Sequence, residues 1–178
     1  VMKSGVLSGF VANAKKEFLG GESILALEEA FCDRFDSAYA VSVNSATSGL
    51  HAALASLDIS LDDEVIVPPY SMSASATSIV MCGAKPVFVD IEESTFCIDP
   101  EKVIQAITPK TKAIMSVNLF GQPSDLGSLR EIANKYNLYL IEDNSQAPAA
   151  KYYKNWAGTI GDIGVFSLNR HKTMQCGE

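Results

Sequence analysis

The stretch AIMSVNLFGQPSDLGSLREIANKYNLYLIED, residues 113–143, decides the fold. It opens on an apolar run, Ala113–Val117, that reads as a buried strand. An amphipathic segment follows over Asp125–Tyr136, with Leu126, Leu129, Ile132, Ala133 and Tyr136 on the inward stripe. A second apolar run, Leu138–Ile141, closes on the carboxylates Glu142 and Asp143. Strand, helix and strand in this order form the unit that joins parallel strands.

The same alternation continues outward. Helices are predicted over Glu22–Phe35 (stripe Ile24, Leu27, Phe31, Phe35), Thr47–Leu57, Ser73–Met81 and Pro100–Ile107. The last has Pro100 at its start and Asp99 as its N-cap. Strands are predicted at Tyr39–Val43, Glu64–Val67, Pro86–Val89 and Ile163–Phe166, with Pro68 and Pro69 stopping the second. Apolar strands alternating with helices specify an α/β domain with a mostly parallel sheet covered on both faces. No repeat or linker interrupts residues 1–178, so one domain is expected.

Composition narrows the function classes. The 178 residues are 47% hydrophobic, enough for a sizeable core. A net charge of −7 without a Lys/Arg cluster argues against nucleic acid or an anionic membrane as partner. No apolar run approaches the roughly 18 residues of a membrane span, and the first residues lack a signal-peptide core. The four cysteines are scattered, and His51 and His171 are the two histidines. Neither a zinc site nor a disulfide framework is expected, and a reducing cytoplasm is. The chain starts without Met at position 1 and stops within a motif at Gly177–Glu178, as the N-terminal part of a longer protein would.

In such sheets ligands bind outside the carboxyl ends of the strands. Five segments should meet there: Asn44–Ser48, Pro69–Met72, Asn118–Gly121, Asp143–Gln146 and Ser167–Lys172. Asn44–Gly49 leads into a helix whose N-terminus, with the Thr47 and Ser48 hydroxyls, could hold a phosphate or merely cap the helix. Asp143 could hold a protonated ring nitrogen or cap a turn, with Glu142 pointing the opposite way. Lys172 could tether a carbonyl cofactor and shuttle a proton, or be a solvated lysine. His51 and the aromatics Tyr152, Tyr153 and Trp156 read as packing residues. A lysine, a strand-end aspartate and small hydroxyls are together what a pyridoxal phosphate (PLP) enzyme requires.

Five segments, in order, resemble the DegT/StrS-type sugar aminotransferases, PLP enzymes of fold type I. NSATSGLH (44–51) resembles the family's phosphate segment S-G-T-A-A-L-H, and DEVIVP (63–68) resembles G-D-E-V-I-x-P. GAKPVFVD (83–90) and IEDNSQA (141–147) resemble G-A-x-P-V-F-V-D and I-E-D-A-A-Q-A. GDIGVFS (161–167), then Lys172 and Gly177–Glu178, resembles G-D-x-x-x-F-S-F-x-x-x-K-x-x-x-x-G-E. The likeness covers nearly the whole chain.

The resemblance implies that Lys172 is the cofactor-tethering lysine and that Asp143 pairs with the pyridine nitrogen. It implies Gln146 near the ring hydroxyl, and Thr47, Ser48 and Ser167 on the phosphate. Met72 falls where relatives carry a ring-stacking aromatic; a thioether can also pack on a ring face. Ala46, Asn144 and Ser145 depart from the family pattern. The implied protein is a homodimer with shared sites, moving an amino group from glutamate or glutamine to a nucleotide-linked keto-sugar. Its C-terminal small domain would lie outside this chain. Family dehydratases carry histidine in place of the lysine; here the position five after Ser167 is Lys172, which favours amino transfer. A dehydratase, or a non-catalytic binding protein of the same fold, is the alternative.

Overall fold

The computed structural model describes residues 20–176, which divide into two compact units between Ser42 and Val43. In the first, helix α1 (Glu22–Phe35) ends where Asp36 turns left-handed (φ 53°) and returns its N–H to the Cys32 carbonyl. Phe31 and Phe35 pack ring to ring at 5.1 Å, and Glu28 accepts from the Ser42 N–H at 2.7 Å. The strand expected at Tyr39–Val43 does not form. Tyr39 and Val41 are more than four-fifths exposed. An apolar, β-branched run needs a ladder partner as well as propensity, and this segment has none among the described residues.

The second unit is the α/β domain. In chain order it comprises α2 (Ala46–Ser56), β1 (Glu64–Val67), α3 (Ser73–Met81), β2 (Lys85–Phe88), α4 (Pro100–Ala106), β3 (Thr111–Val117), α5 (Leu126–Tyr136) and β4 (Tyr139–Asp143). A two-stranded hairpin, β5 (Lys151–Tyr152) with β6 (Asn155–Trp156), precedes β7 (Ile163–Val165). The main sheet runs β2-β1-β3-β4-β7, every neighbouring pair parallel. Strand order reverses direction between β1 and β3, so the crevice at their carboxyl ends is where such folds hold ligands.

Strand alternation sends side chains into two separate cores. Val65, Val67, Ala113, Met115, Ile141 and Val165 meet Leu50 and Leu54 of α2 and Ile79 of α3. Ile66, Ile114 and Leu140 meet Val103 of α4 and Leu129, Ile132 and Ala133 of α5. Both faces are therefore covered, as the near-continuous apolar strands required. Helix starts follow capping chemistry: Asp99 accepts from the Glu101 and Lys102 N–H groups, and Asp125 from that of Ser128.

Candidate active site

Four of the five expected segments leave the carboxyl ends of parallel strands, and the fifth starts α2 beside β7. Gly49 sets that placement. A Cβ there would stand 2.9 Å from Val165 Cγ1, so the first turn of α2 lies against the end of β7, two residues before Ser167. Thr47, Ser48 and Ser167 thereby share one corner of the sheet. Ser45 rather than a later residue is the N-cap: its Oγ accepts from the Ser48 N–H at 3.2 Å and donates to Ser48 Oγ at 3.1 Å. Ser48 Oγ is thus left with its own proton to offer outward.

Asp143 ends β4 on the face covered by α2 and α3, and it is 4% exposed. Its Oδ2 accepts from Ser75 Oγ at 2.8 Å and its Oδ1 from the Ser145 N–H at 3.2 Å. Both donors are neutral. The spare lone pairs of the carboxyl suit a further N–H donor. Ser75, buried on α3, is in turn 3.0 Å from Ser71 Oγ.

Glu142, one residue earlier, is fully buried on the opposite face. It accepts four hydrogen bonds: Oε1 from the Ile160 and Gly161 N–H groups, Oε2 from the Gly158 N–H and Asn118 Nδ2. Asn118 also donates to Asn144 Oδ1, and Asn144 Nδ2 donates to the Ala157 carbonyl. Gly158 sits at φ +90°, and a Cβ there would strike the Phe166 ring. This network clasps the 157–161 loop to the sheet and explains the departure at Asn144, whose amide alanine could not replace.

Gln146 accepts from the Phe120 N–H through Oε1 at 3.4 Å, which ties the loop after β4 to the loop after β3. Met72 precedes α3 with its side chain two-thirds exposed. Beyond β7, Ser167 is buried. Lys172 is half-buried and closes a turn through its N–H to the Asn169 carbonyl at 2.8 Å, while His171 is exposed. The Cys176 N–H returns to the Leu168 carbonyl, folding this segment back on itself.

Sequence reading missed Ser71 and Ser75, although their i, i+4 spacing at the start of a buried helix was a signal. It also missed the aromatic group on this edge, Tyr70 with Phe96 at 5.9 Å and Phe120 at 6.2 Å. Tyr152 and Trp156 are packing residues as expected: Tyr152 donates to Asp125 at 2.6 Å, and Lys151 lies over the Trp156 ring. Among the described residues no cluster of His, Cys, Asp or Glu could hold a metal, and no helix is long and apolar enough to cross a membrane.

Residues 11–178 match the model of the DegT/DnrJ/EryC1/StrS aminotransferase family. GDP-perosamine synthase of Caulobacter vibrioides is 42% identical over 158 residues, which are 89% of this chain and 43% of that enzyme. Among solved structures, an aminotransferase from Psychrobacter cryohalolentis superposes with a TM-score of 0.86 at 42% identity, over 87% of this chain and 39% of that one. GDP-4-keto-6-deoxy-D-mannose-3-dehydratase of E. coli, with bound hydrated PLP, gives 0.82 at 33% identity, over 87% and 41%. The chain thus spans about two fifths of the length of the relatives it matches.

Proposed function

The chain belongs to the DegT/DnrJ/EryC1/StrS aminotransferase family, and on that footing we propose that it is the PLP-binding part of a longer sugar aminotransferase. The observation that carries this reading is Asp143: a buried strand-end carboxylate with two neutral donors, on the sheet face covered by α2, whose first turn meets the end of β7. PLP, when bound, supplies an electron sink for the bond changes at the amine-bearing carbon.

The chain's own residues have these roles in the proposal. Asp143 receives the ring N–H and keeps the ring nitrogen protonated. Thr47, Ser48 and Ser167 bind the phosphate at the shared corner. Gln146, with Oε1 committed to Phe120, turns its amide N–H groups toward the ring hydroxyl. Met72 packs on the ring face. Lys172 tethers the cofactor and carries the proton to and from the substrate carbon. Glutamate or glutamine is the amino donor and a nucleotide-linked keto-sugar the acceptor. The working form is a cytoplasmic homodimer with shared sites.

Dehydration is a second reading, because one structural neighbour is named a dehydratase. Lysine at position 172 favours amino transfer. The test is full-length protein with added PLP. A visible absorbance band lost in Lys172→Ala and kept in His171→Ala supports the proposal. Absence of any band overturns it. Product mass with a panel of keto-sugars then separates the two readings: gain of an amine supports transfer, and loss of oxygen without amine supports dehydration.

A further inference from the structure

We infer that Ser75, backed by Ser71, is a positioning residue that holds the Asp143 side chain oriented for its ligand. This rests on the reading of Asp143 as the partner of a ring nitrogen.

The order of protons follows from the geometry. Ser75 Oγ donates to Asp143 Oδ2 at 2.8 Å, which commits its one proton. The 3.0 Å contact between Ser71 and Ser75 must then run from Ser71 Oγ–H to Ser75 Oγ. Two hydroxyls in series polarise one another, and each strengthens the donor that reaches the carboxylate. The chain spans the switch point of the sheet. Ser71 and Ser75 follow β1, Asp143 ends β4, and β3 lies between those strands. It is thus a 68-residue connection across the candidate ligand crevice rather than a local turn. Ser75 is 1% exposed and so is shielded from competing water.

A carboxylate held at one oxygen by a buried donor keeps its remaining lone pairs aimed in a fixed direction. Without the Ser75 donor, Asp143 would keep only the Ser145 N–H at Oδ1 and could rotate away from its ligand. Ser75 therefore fixes the direction in which Asp143 meets PLP.

The experiment measures PLP dissociation constants of full-length protein at neutral pH, beside the melting temperature without PLP. In Ser75→Ala, affinity should weaken roughly tenfold with the melting temperature little changed. Ser75→Thr, which keeps the hydroxyl, should restore the affinity. Ser71→Ala should weaken binding by less. In an Asp143→Asn background, Ser75→Ala should add little further loss. A Ser75→Ala protein with a lower melting temperature and unchanged PLP affinity would show a structural role only and overturn the inference. Failure of wild type to bind PLP would overturn the cofactor reading, and this inference with it.

Discussion

Glu142 and Asp143 are neighbours on β4 and leave it on opposite faces of the sheet. Both are buried carboxylates, yet their surroundings differ in kind. Glu142 receives four N–H donors, which fills the acceptor capacity of its two oxygens. Asp143 receives two, and one of those is long. A saturated buried carboxylate is a fastener: its energy is spent on organising the backbone that donates to it. An unsaturated one has capacity reserved for something outside the chain. The two faces divide accordingly into a clasp built on Asn118, Glu142 and the 157–161 loop, and a site built on Ser75, Asp143 and the first turn of α2.

The division predicts opposite responses to mutation. Glu142→Ala strands four donors, two of them buried, and should destabilise the fold by about 3–4 kcal/mol, a large share of a domain's usual stability. Urea unfolding of the full-length protein measures this, and a loss below about 1 kcal/mol would break the comparison. Asp143→Asn should change stability by under about 1 kcal/mol while weakening PLP binding ten- to a hundredfold, the worth of one hydrogen bond to a charged group. Parallel losses of stability and affinity in both variants would mean that the faces are not separate.

The sequence showed one face more clearly than the other. Glu64–Val67, Ser73–Met81 and Glu22–Phe35 fall where periodicity placed them, and Asp99 caps as expected. Asp143, Lys172 and the α2 start stood out as candidates because their side-chain chemistry is itself a signal. The Glu142 clasp was not, since its partners are mostly backbone N–H groups, which no side-chain pattern announces. Glycine density at Gly158, Gly161 and Gly164 was the available hint. The β5–β6 hairpin escaped because two-residue strands carry no period, and its turn places Tyr153 rather than a glycine at positive φ. Tyr39–Val43 failed in the other direction: strand chemistry was present and a strand partner was not.

Gly49 tests the site face by packing alone. Gly49→Ala pushes a methyl against Val165 Cγ1, and a β-branched valine has little freedom to yield. The expected loss is about 1–2 kcal/mol in stability, with weaker PLP binding as the first turn of α2 is displaced from the Ser167 corner. Val165→Ala in the same chain should relieve the clash, giving a coupling of about 1 kcal/mol in a double-mutant cycle. Additive losses would place the two residues apart and dissolve the corner.

Tyr152 tests the clasp face from its rim. Its hydroxyl donates to Asp125, the cap of α5, and so moors the hairpin to the face that Glu142 fastens. That hydrogen bond, with partial burial, pushes the Tyr152 pKa up to about 12 from 10.0. Burial alone would raise Asp125, but hydrogen bonds from Ser128 and Tyr152 hold it below the ordinary carboxylate value. The signs follow. The raised tyrosine contributes stability that is complete below pH 10 and is lost as pH climbs toward 12. The depressed aspartate contributes stability that is present above the ordinary carboxylate range and is lost as pH falls through its lowered value. Tyr152→Phe should therefore cost about 1 kcal/mol at neutral pH, remove the tyrosine's part of the alkaline decline, and shrink the aspartate's part of the acid decline. PLP affinity should not change, because the mooring is on the face away from Asp143. A drop in affinity in this variant would show that the hairpin reaches the site, and the two faces would have to be treated as one.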